Sequence, residues 1–211
     1  MATKVSHPLF ARFYAKMAVG AEKAGAAEHR RDLLAGLSGT VIEVGAGNGL
    51  NFSYYPPTVS QVLAVEPEPH LRQHAAAAAA GAAVPITVVD GTADQLPAGD
   101  GDFDAVVASL VLCSVPDQAR ALAEMHRVIR PGGELRYYEH VRADTPQGAR
   151  LQDRMDPVWS FFAGGCHPNR DTEAAIALAG FRIEDRRPFL FQPCFVAKVV
   201  STHVIGCARR P

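Results

Sequence analysis

The sequence predicts an α/β fold with a doubly wound, mostly parallel sheet covered by helices on both faces. Three observations favour it: short β-branched runs alternate with helical segments, three glycines cluster after the first run, and no repeat or linker interrupts the 211 residues. Apolar runs of this kind suit parallel strands with helices on either side. A chain of this length is expected to form a single domain.

Seven strands are expected from the β-branched and apolar runs. In chain order they are residues 40–44, 61–65 (QVLAV), 86–89 (ITVV), 104–108 (DAVVA), 134–139, 181–185 and, near the end, 202–207.

Helices are expected between these strands. From about residue 7 to 34, apolar residues at three- and four-residue spacings predict an amphipathic helix, followed by a more charged helix that ends near Gly36. Residues 69–80 end in six alanines, which are strong helix formers. Further helices are predicted over residues 117–130, stopping at Pro131-Gly132-Gly133, and around residues 172–179, before Gly180.

Charge and the N-terminal sequence exclude several classes of protein. The net charge of -1 gives no electrostatic footprint for nucleic acid or an anionic membrane surface. The first twenty residues contain neither an apolar run of membrane length nor a signal-peptide pattern. We therefore expect a cytoplasmic protein without a membrane anchor or a nucleic-acid partner.

The four cysteines are widely spaced and include no Cys-x-x-Cys pair. This spacing argues against a disulfide framework or a zinc knuckle and favours a reducing compartment. Cys194, His203 and Cys207 could be imagined around a metal, but a fourth ligand is missing and the segment reads as a strand. We expect no metal site.

The glycines follow the first predicted strand in the pattern Glu43-x-Gly45-x-Gly47-x-Gly49. Ligands of doubly wound sheets bind at the carboxyl ends of the strands, and glycine permits close approach of backbone to a ligand. A dinucleotide fingerprint, G-x-G-x-x-G, would require glycine where Leu50 stands. The pattern thus points to a different nucleotide-like ligand.

Features downstream of the glycines identify a family. Glu66 ends the second strand in LAVEPEP, and the segments DGTADQLP, GDGDFDAVVASLVLCSV and RVIRPGGELRYYEH follow in order. From Val41 to His140 this series resembles class I S-adenosylmethionine-dependent methyltransferases. The resemblance implies their Rossmann-like fold, a seven-stranded sheet whose last strand is antiparallel.

Further segments resemble one branch of that family, the small-molecule thiol S-methyltransferases. They are NFSYYPP after the glycines, LVLCSV after the fourth strand, EHV after the fifth, and DPVW, Gly165-Cys166 and Arg170 beyond it. Asn48, where threonine is expected, and the missing N-terminal anchor depart from the pattern. The implied organisation is a helical lid over residues 1–36, a cofactor-binding core over 37–145, and a substrate-side segment with the last strands over 146–211.

The resemblance implies S-adenosylmethionine as cofactor and S-adenosylhomocysteine as product. Glu43 would anchor the glycine loop or attract the cationic end, Glu66 would bind ribose, and Thr92 and Ala93 would meet adenine. Tyr14 could close the site or belong to the buried face of its helix, and Asn51 could be an ordinary helix-start residue. The implied cofactor-binding residues are Tyr14, Glu43, Gly45, Ala46, Gly47, Gly49, Asn51, Glu66, Pro67, Thr92, Ala93, Ser109, Leu110 and Val111.

Two histidines are the candidate catalytic residues. His140 ends the fifth strand, and His167 lies on a glycine-containing loop; either could act as a general base. A thiol acceptor needs only modest help because its pKa is near 8.5, whereas a phenol would benefit more from a base. The predicted acceptor is a small-molecule thiol; the alternatives are oxygen or carbon methylation of a phenol or quinone, and a nucleotide-binding protein that uses NAD or is inactive.

Overall fold

The computed structural model describes residues 20–193 and 195–211. Tyr14 and most of the predicted N-terminal amphipathic helix lie outside this range. The strands are β1 (Gly39–Val44), β2 (Val59–Val65), β3 (Ile86–Val89), β4 (Phe103–Ser109), β5 (Ile129–His140), β6 (Arg182–Leu190) and β7 (Thr202–Arg209). All seven predicted strands are confirmed.

The strands form one sheet in the order β3-β2-β1-β4-β5-β7-β6. Strands β1 to β5 pair in parallel, and β7 pairs antiparallel with both β5 and β6. The predicted doubly wound fold with an antiparallel last strand is therefore confirmed. Strands β3 and β6 form the two edges of the sheet.

Five α-helices accompany the sheet in the described part of the chain. They are α1 (Ala27–Leu34), α2 (Pro69–Ala79), α3 (Gln118–Val128), α4 (Pro146–Phe162) and α5 (Thr172–Leu178). An acid side chain caps the start of α2, α3 and α5, and the Thr145 hydroxyl caps α4. No helix among the described residues is long and apolar enough to span a membrane.

The central strands are buried on both faces, as parallel strands between helices should be. Val41 and Val107 face one side of the sheet, and Ile42 and Val106 face the other; all four are fully buried. Burial of each such side chain adds about 1.5–3 kcal/mol to the free energy of unfolding, relative to leaving it exposed to water. The rigid sheet fixes the positions of the loops at its carboxyl edge.

Two elements differ from the sequence prediction. Helix α3 ends at Val128, and β5 begins at Ile129 and runs through Pro131-Gly132-Gly133, which were expected to form a turn. The strand continues through this stretch because the backbone of Gly132 and Gly133 pairs with Arg210, a distant residue, although Gly132 keeps a turn-like backbone with a φ of +78°. Helix α4 was not predicted; Pro157 lies inside it and interrupts the sequence pattern of a helix.

Candidate active site

The direction in which the chain winds through the sheet reverses between β1 and β4. From β1 the chain winds outward through β2 to β3, whereas β4 and β5 lie on the other side of β1. In open α/β sheets ligands bind outside the carboxyl ends of the strands at such a reversal. The glycine loop after β1 and the segment after β4 both lie at this point.

Gly45 lets these two segments meet. Its φ of +67° lies in the left-handed region, and a Cβ there would lie 2.6 Å from Val111 Cγ2. Glycine is thus required both by the backbone and by the contact. The close approach brings the predicted residues of the glycine loop and of residues 109–111 together.

The amide groups of the glycine loop are already hydrogen-bonded within the protein. Gly45 N and Ala46 N donate to the carbonyl of Val65, and Gly49 N donates to that of Ala46. Gly47 N donates to Glu66 Oε2 over 2.7 Å. These internal hydrogen bonds fix the conformation of the loop. At its glycines, a ligand can approach the backbone closely because no side chain intervenes.

Glu43 holds the loop from below. Its Oε1 accepts a hydrogen bond from Asn51 Nδ2 (2.8 Å) and its Oε2 from the Tyr55 hydroxyl (2.7 Å). The carboxyl group is fully buried, and burial raises its pKa to about 7. The side chains of Glu43 and Asn51 thus both bond to protein groups. Of the two roles expected for Glu43, these bonds favour anchoring of the glycine loop over attraction of the cationic end.

Arg30, on α1, connects the loop to β4. Its Nη1 donates to Asn51 Oδ1 (2.8 Å) and to Ser109 Oγ (3.2 Å), and its Nε contacts Glu22 Oε1 at 2.7 Å. The residue is buried. No sequence pattern indicates this role, since Arg30 stands beside Arg31 in a charged helix.

Glu66 lies at the end of β2, as predicted, and is almost completely buried. Besides Gly47 N, it accepts a hydrogen bond from Glu68 N (2.9 Å), across Pro67. Burial raises the pKa of Glu66. Each carboxylate oxygen has one protein donor and so retains further acceptor capacity for a ligand hydroxyl.

Thr92 and Ala93 follow β3, which lies beside β2 in the sheet. Both are half-buried, and the Thr92 carbonyl accepts a hydrogen bond from Gln95 N. Glu66 N donates to the last carbonyl of β3, at Val89. The turn predicted to meet adenine therefore starts next to the acid predicted to bind ribose.

The segment after β4 is held in an unusual conformation. Leu110 has a φ of +60°, a left-handed backbone that residues other than glycine rarely adopt. Glu139 Oε1 accepts hydrogen bonds from Val111 N and Leu112 N (both 2.9 Å), and Oε2 accepts one from Cys113 N (3.0 Å). Strain at Leu110 persists because these bonds over-determine the segment.

Arg170 holds the same segment from its other side. Its Nη1 donates to the carbonyls of Leu112 and Val115, both over 2.8 Å. In the sequence, Glu139 and Arg170 belong to the segments that resemble the family, and neither had an expected role at the site. An acid at the end of a buried strand was the one signal for Glu139.

Both predicted catalytic histidines lie near Cys113. His140 Nδ1 is 3.5 Å from Cys113 Sγ and 3.5 Å from Cys166 Sγ. His167 N donates to the Cys113 carbonyl over 2.7 Å, and its Nδ1 lies 2.9 and 3.0 Å from the carboxylate oxygens of Asp156. The His167–Asp156 pair can orient an imidazole for proton transfer.

The fold and this site define a class of protein. The methyltransferase domain family matches residues 42–137. A solved geranyl diphosphate methyltransferase in complex with S-adenosylmethionine superposes with a TM-score of 0.70 at 15% identity, over 89% of this chain and 85% of that one. The buried acid beside the glycine loop suits the ribose of such a cofactor.

Curated relatives narrow the family. The human thiol S-methyltransferase TMT1B is 37% identical over 183 residues, which is 83% of this chain and 73% of that protein. Human TMT1A is 36% identical over 153 residues, 70% of this chain, and the chain spans 62% of its length. The similarity to TMT1B, which the chain covers over 73% of its length, shows that the chain belongs to the S-adenosylmethionine-dependent methyltransferases.

Proposed function

We propose that this protein methylates the sulfur of a small-molecule thiol. The observation that carries the proposal is the similarity to TMT1B, which extends well beyond the cofactor-binding half of the chain. Fold alone does not choose an acceptor, so the assignment depends on the residues around the carboxyl ends of β4 and β5.

The cofactor would lie along the glycine loop, where the winding reverses between β1 and β4. Glu66 binds the ribose hydroxyls with its remaining acceptor capacity, while Pro67 shapes the turn after it. Thr92 and Ala93 flank the adenine. Gly45, Ala46, Gly47 and Gly49 provide close approach rather than free donors, because their amides are paired inside the protein.

The methionine end would lie over residues 109–111, whose backbone Glu139 fixes. The glycine loop and residue Ser109 are positioned by hydrogen bonds among Glu43, Asn51 and Arg30, which would support the cofactor site without touching the cofactor. We retain Tyr14, which lies outside the described residues, as a residue that closes the site.

Bound S-adenosylmethionine supplies a methyl carbon on a sulfonium leaving group, so in-line approach of the acceptor is the main requirement. The acceptor would lie beside His140, Cys113 and His167. His167 accepts the acceptor's proton on Nε2, because its Nδ1 is paired with the Asp156 carboxylate, which orients the ring and leaves Nε2 for the acceptor. His140 Nδ1 faces the sulfurs of Cys113 and Cys166, so His140 would contact the acceptor through another edge of its ring.

A second candidate is oxygen or carbon methylation of a phenol or quinone-type molecule. The observation that favours it is the His167–Asp156 pair itself. A phenol with a pKa near 10 is mostly protonated at neutral pH and requires such a base, whereas a thiol requires it much less.

The test follows methyl transfer from isotope-labelled S-adenosylmethionine to matched panels of small thiols, phenols and quinols by mass spectrometry. We expect S-methyl products only. For a thiol, His167→Gln should lower the rate by less than about tenfold, whereas an acceptor that needs a base would lose about 10²- to 10⁴-fold. His70→Gln, on α2, is the matched control.

Products on oxygen or carbon alone would overturn the thiol assignment and leave the family and its cofactor unaffected. Calorimetry with S-adenosylhomocysteine and with NAD addresses the remaining alternative. Binding of NAD without S-adenosylhomocysteine would contradict the cofactor site.

A further inference from the structure

Three side chains with metal-binding atoms meet on the proposed acceptor side of the site. Cys113 lies after β4, His140 ends β5, and Cys166 follows α4. Their sulfur and nitrogen atoms all lie within 4.8 Å of one another. Both cysteines are buried and free, and His140 is partly exposed.

The spacing of these atoms fits a tetrahedral zinc ion. With Zn–S near 2.3 Å and Zn–N near 2.0–2.1 Å, a sulfur and a nitrogen at the tetrahedral angle are about 3.5 Å apart. Each of the two distances from His140 Nδ1 to a sulfur is 3.5 Å. Two thiolates and an imidazole are also the soft donor set that suits zinc.

The surrounding protein holds the ligands in place. The Cys113 amide donates to Glu139 Oε2, and its carbonyl accepts from His167 N, so both of its backbone groups are fixed. Cys166 N donates to the carbonyl of Ala163. Apolar residues, Trp159 among them, pack around the two sulfurs. Fixed ligands in an apolar shell are typical of a metal site built in advance.

We propose that Cys113, His140 and Cys166 form a three-ligand Zn²⁺ site whose fourth position takes the sulfur of a thiol. Three protein ligands and one open position are the arrangement of catalytic zinc sites. The binding of zinc is independent of the reaction, whereas the role of the fourth position rests on the proposed function.

A thiol that enters the fourth position is deprotonated by its coordination to zinc, and its proton passes to His167 and from there to solvent. A lone pair of its sulfur then forms the new bond to the methyl carbon. The bond from that carbon to the sulfonium breaks with its electron pair, giving S-adenosylhomocysteine. The neutral thioether is a poor zinc ligand and leaves.

The first experiment measures metal bound by the full-length protein. After chelation and zinc addition, we expect about one equivalent per chain. Cys166→Ser and Cys113→Ser should each weaken zinc binding by about 10- to 100-fold or more. Cys207→Ser is the matched control, because Cys207 lies on β7 and donates to Glu134. Binding of S-adenosylhomocysteine by each variant checks that it is folded.

The second experiment replaces zinc by Co²⁺, whose absorption reports its ligands. Thiolate charge-transfer bands are expected in the unmodified protein and in Cys207→Ser. Addition of 2-mercaptoethanol should shift the visible bands as its sulfur takes the fourth position. The rate of thiol methylation should fall at least about tenfold when the metal is removed and return when zinc is restored.

Several results would overturn the proposal. They are a folded protein that binds no zinc, equal loss in Cys207→Ser, or a Cys113–Cys166 disulfide in the protein purified without oxidant. Thiol methylation at full rate by the zinc-free protein would refute the open position and leave the proposed function standing. The proposed function would be refuted instead if the protein bound zinc and showed a thiol-dependent cobalt spectrum but methylated no thiol.

Discussion

Replacing Gly45 by alanine tests whether the glycine loop and the segment after β4 pack as the structure describes. The substitution has two separable effects. A left-handed backbone costs an L-residue about 1–2 kcal/mol. The new methyl group, 2.6 Å from Val111 Cγ2, adds about 1–3 kcal/mol of overpacking. We therefore expect Gly45→Ala to lower the free energy of unfolding by about 2–5 kcal/mol.

Gly36→Ala is the matched control for the first effect. Gly36 has a φ of +76°, and a Cβ there would meet nothing within 4 Å. It should lose only the backbone contribution, about 1–2 kcal/mol. The difference between the two variants isolates the contact with Val111.

Urea unfolding at constant m-value measures both variants. Calorimetry should also show weaker S-adenosylhomocysteine binding by Gly45→Ala but not by Gly36→Ala. In a double-mutant cycle, Val111→Ala should partly restore the stability of Gly45→Ala because it removes the colliding methyl. Equal losses in the two glycine variants, or no coupling to Val111, would refute the packing described here.

Three further predictions concern buried charges. Because burial raises the pKa of Glu43 from 4.5 to about 7, the native state retains a proton that the unfolded chain releases between these pH values. The contribution of this group to the free energy of unfolding is therefore complete below pH 4.5, and about 3 kcal/mol of it is lost as the pH rises through 7. Glu43→Gln should remove this slope in unfolding measured from pH 4 to 8. Arg30→Met should cost about 1–3 kcal/mol in urea unfolding because it leaves the buried Asn51 Oδ1 without its donor and the half-buried Glu22 without its ion pair, whereas the exposed Arg120→Met should change little. Glu66→Ala should weaken S-adenosylhomocysteine binding about 10- to 100-fold by calorimetry, with Glu28→Ala as an unaffected control; unchanged affinity would contradict the ribose assignment.

The strands and the glycine loop could be predicted because their signals are local. A β-branched run such as residues 41–44 needs no partner to be recognised, and the loop follows directly in the chain. The extension of β5 through Pro131 was missed because its partner, Arg210, lies at the other end of the sequence. Helix α4 was missed because Pro157 breaks the pattern that would have identified it.

The site was only partly predictable for the same reason. Arg30 meets Asn51 and Ser109 across 21 and 79 positions, and no pattern in its own helix indicates them. Likewise, Cys113 and Cys166 lie 27 and 26 positions from His140 on either side. The candidate metal set of the sequence analysis, which included Cys194 and His203, used residues close in sequence instead. Spacing along the chain does not reveal groups that only the sheet brings together.

The two edges of the sheet bear on how the protein behaves at high concentration. An unpaired edge strand is a template for another chain, yet β3 has only four residues. The other edge, β6, is largely exposed and carries Arg182, Arg186 and Arg187, followed by Pro188. Pro188 has no N–H to donate, so it interrupts the row of donors that an added strand would need. Strand addition between copies is therefore disfavoured at both ends of the sheet, which protects the folded protein against β-aggregation.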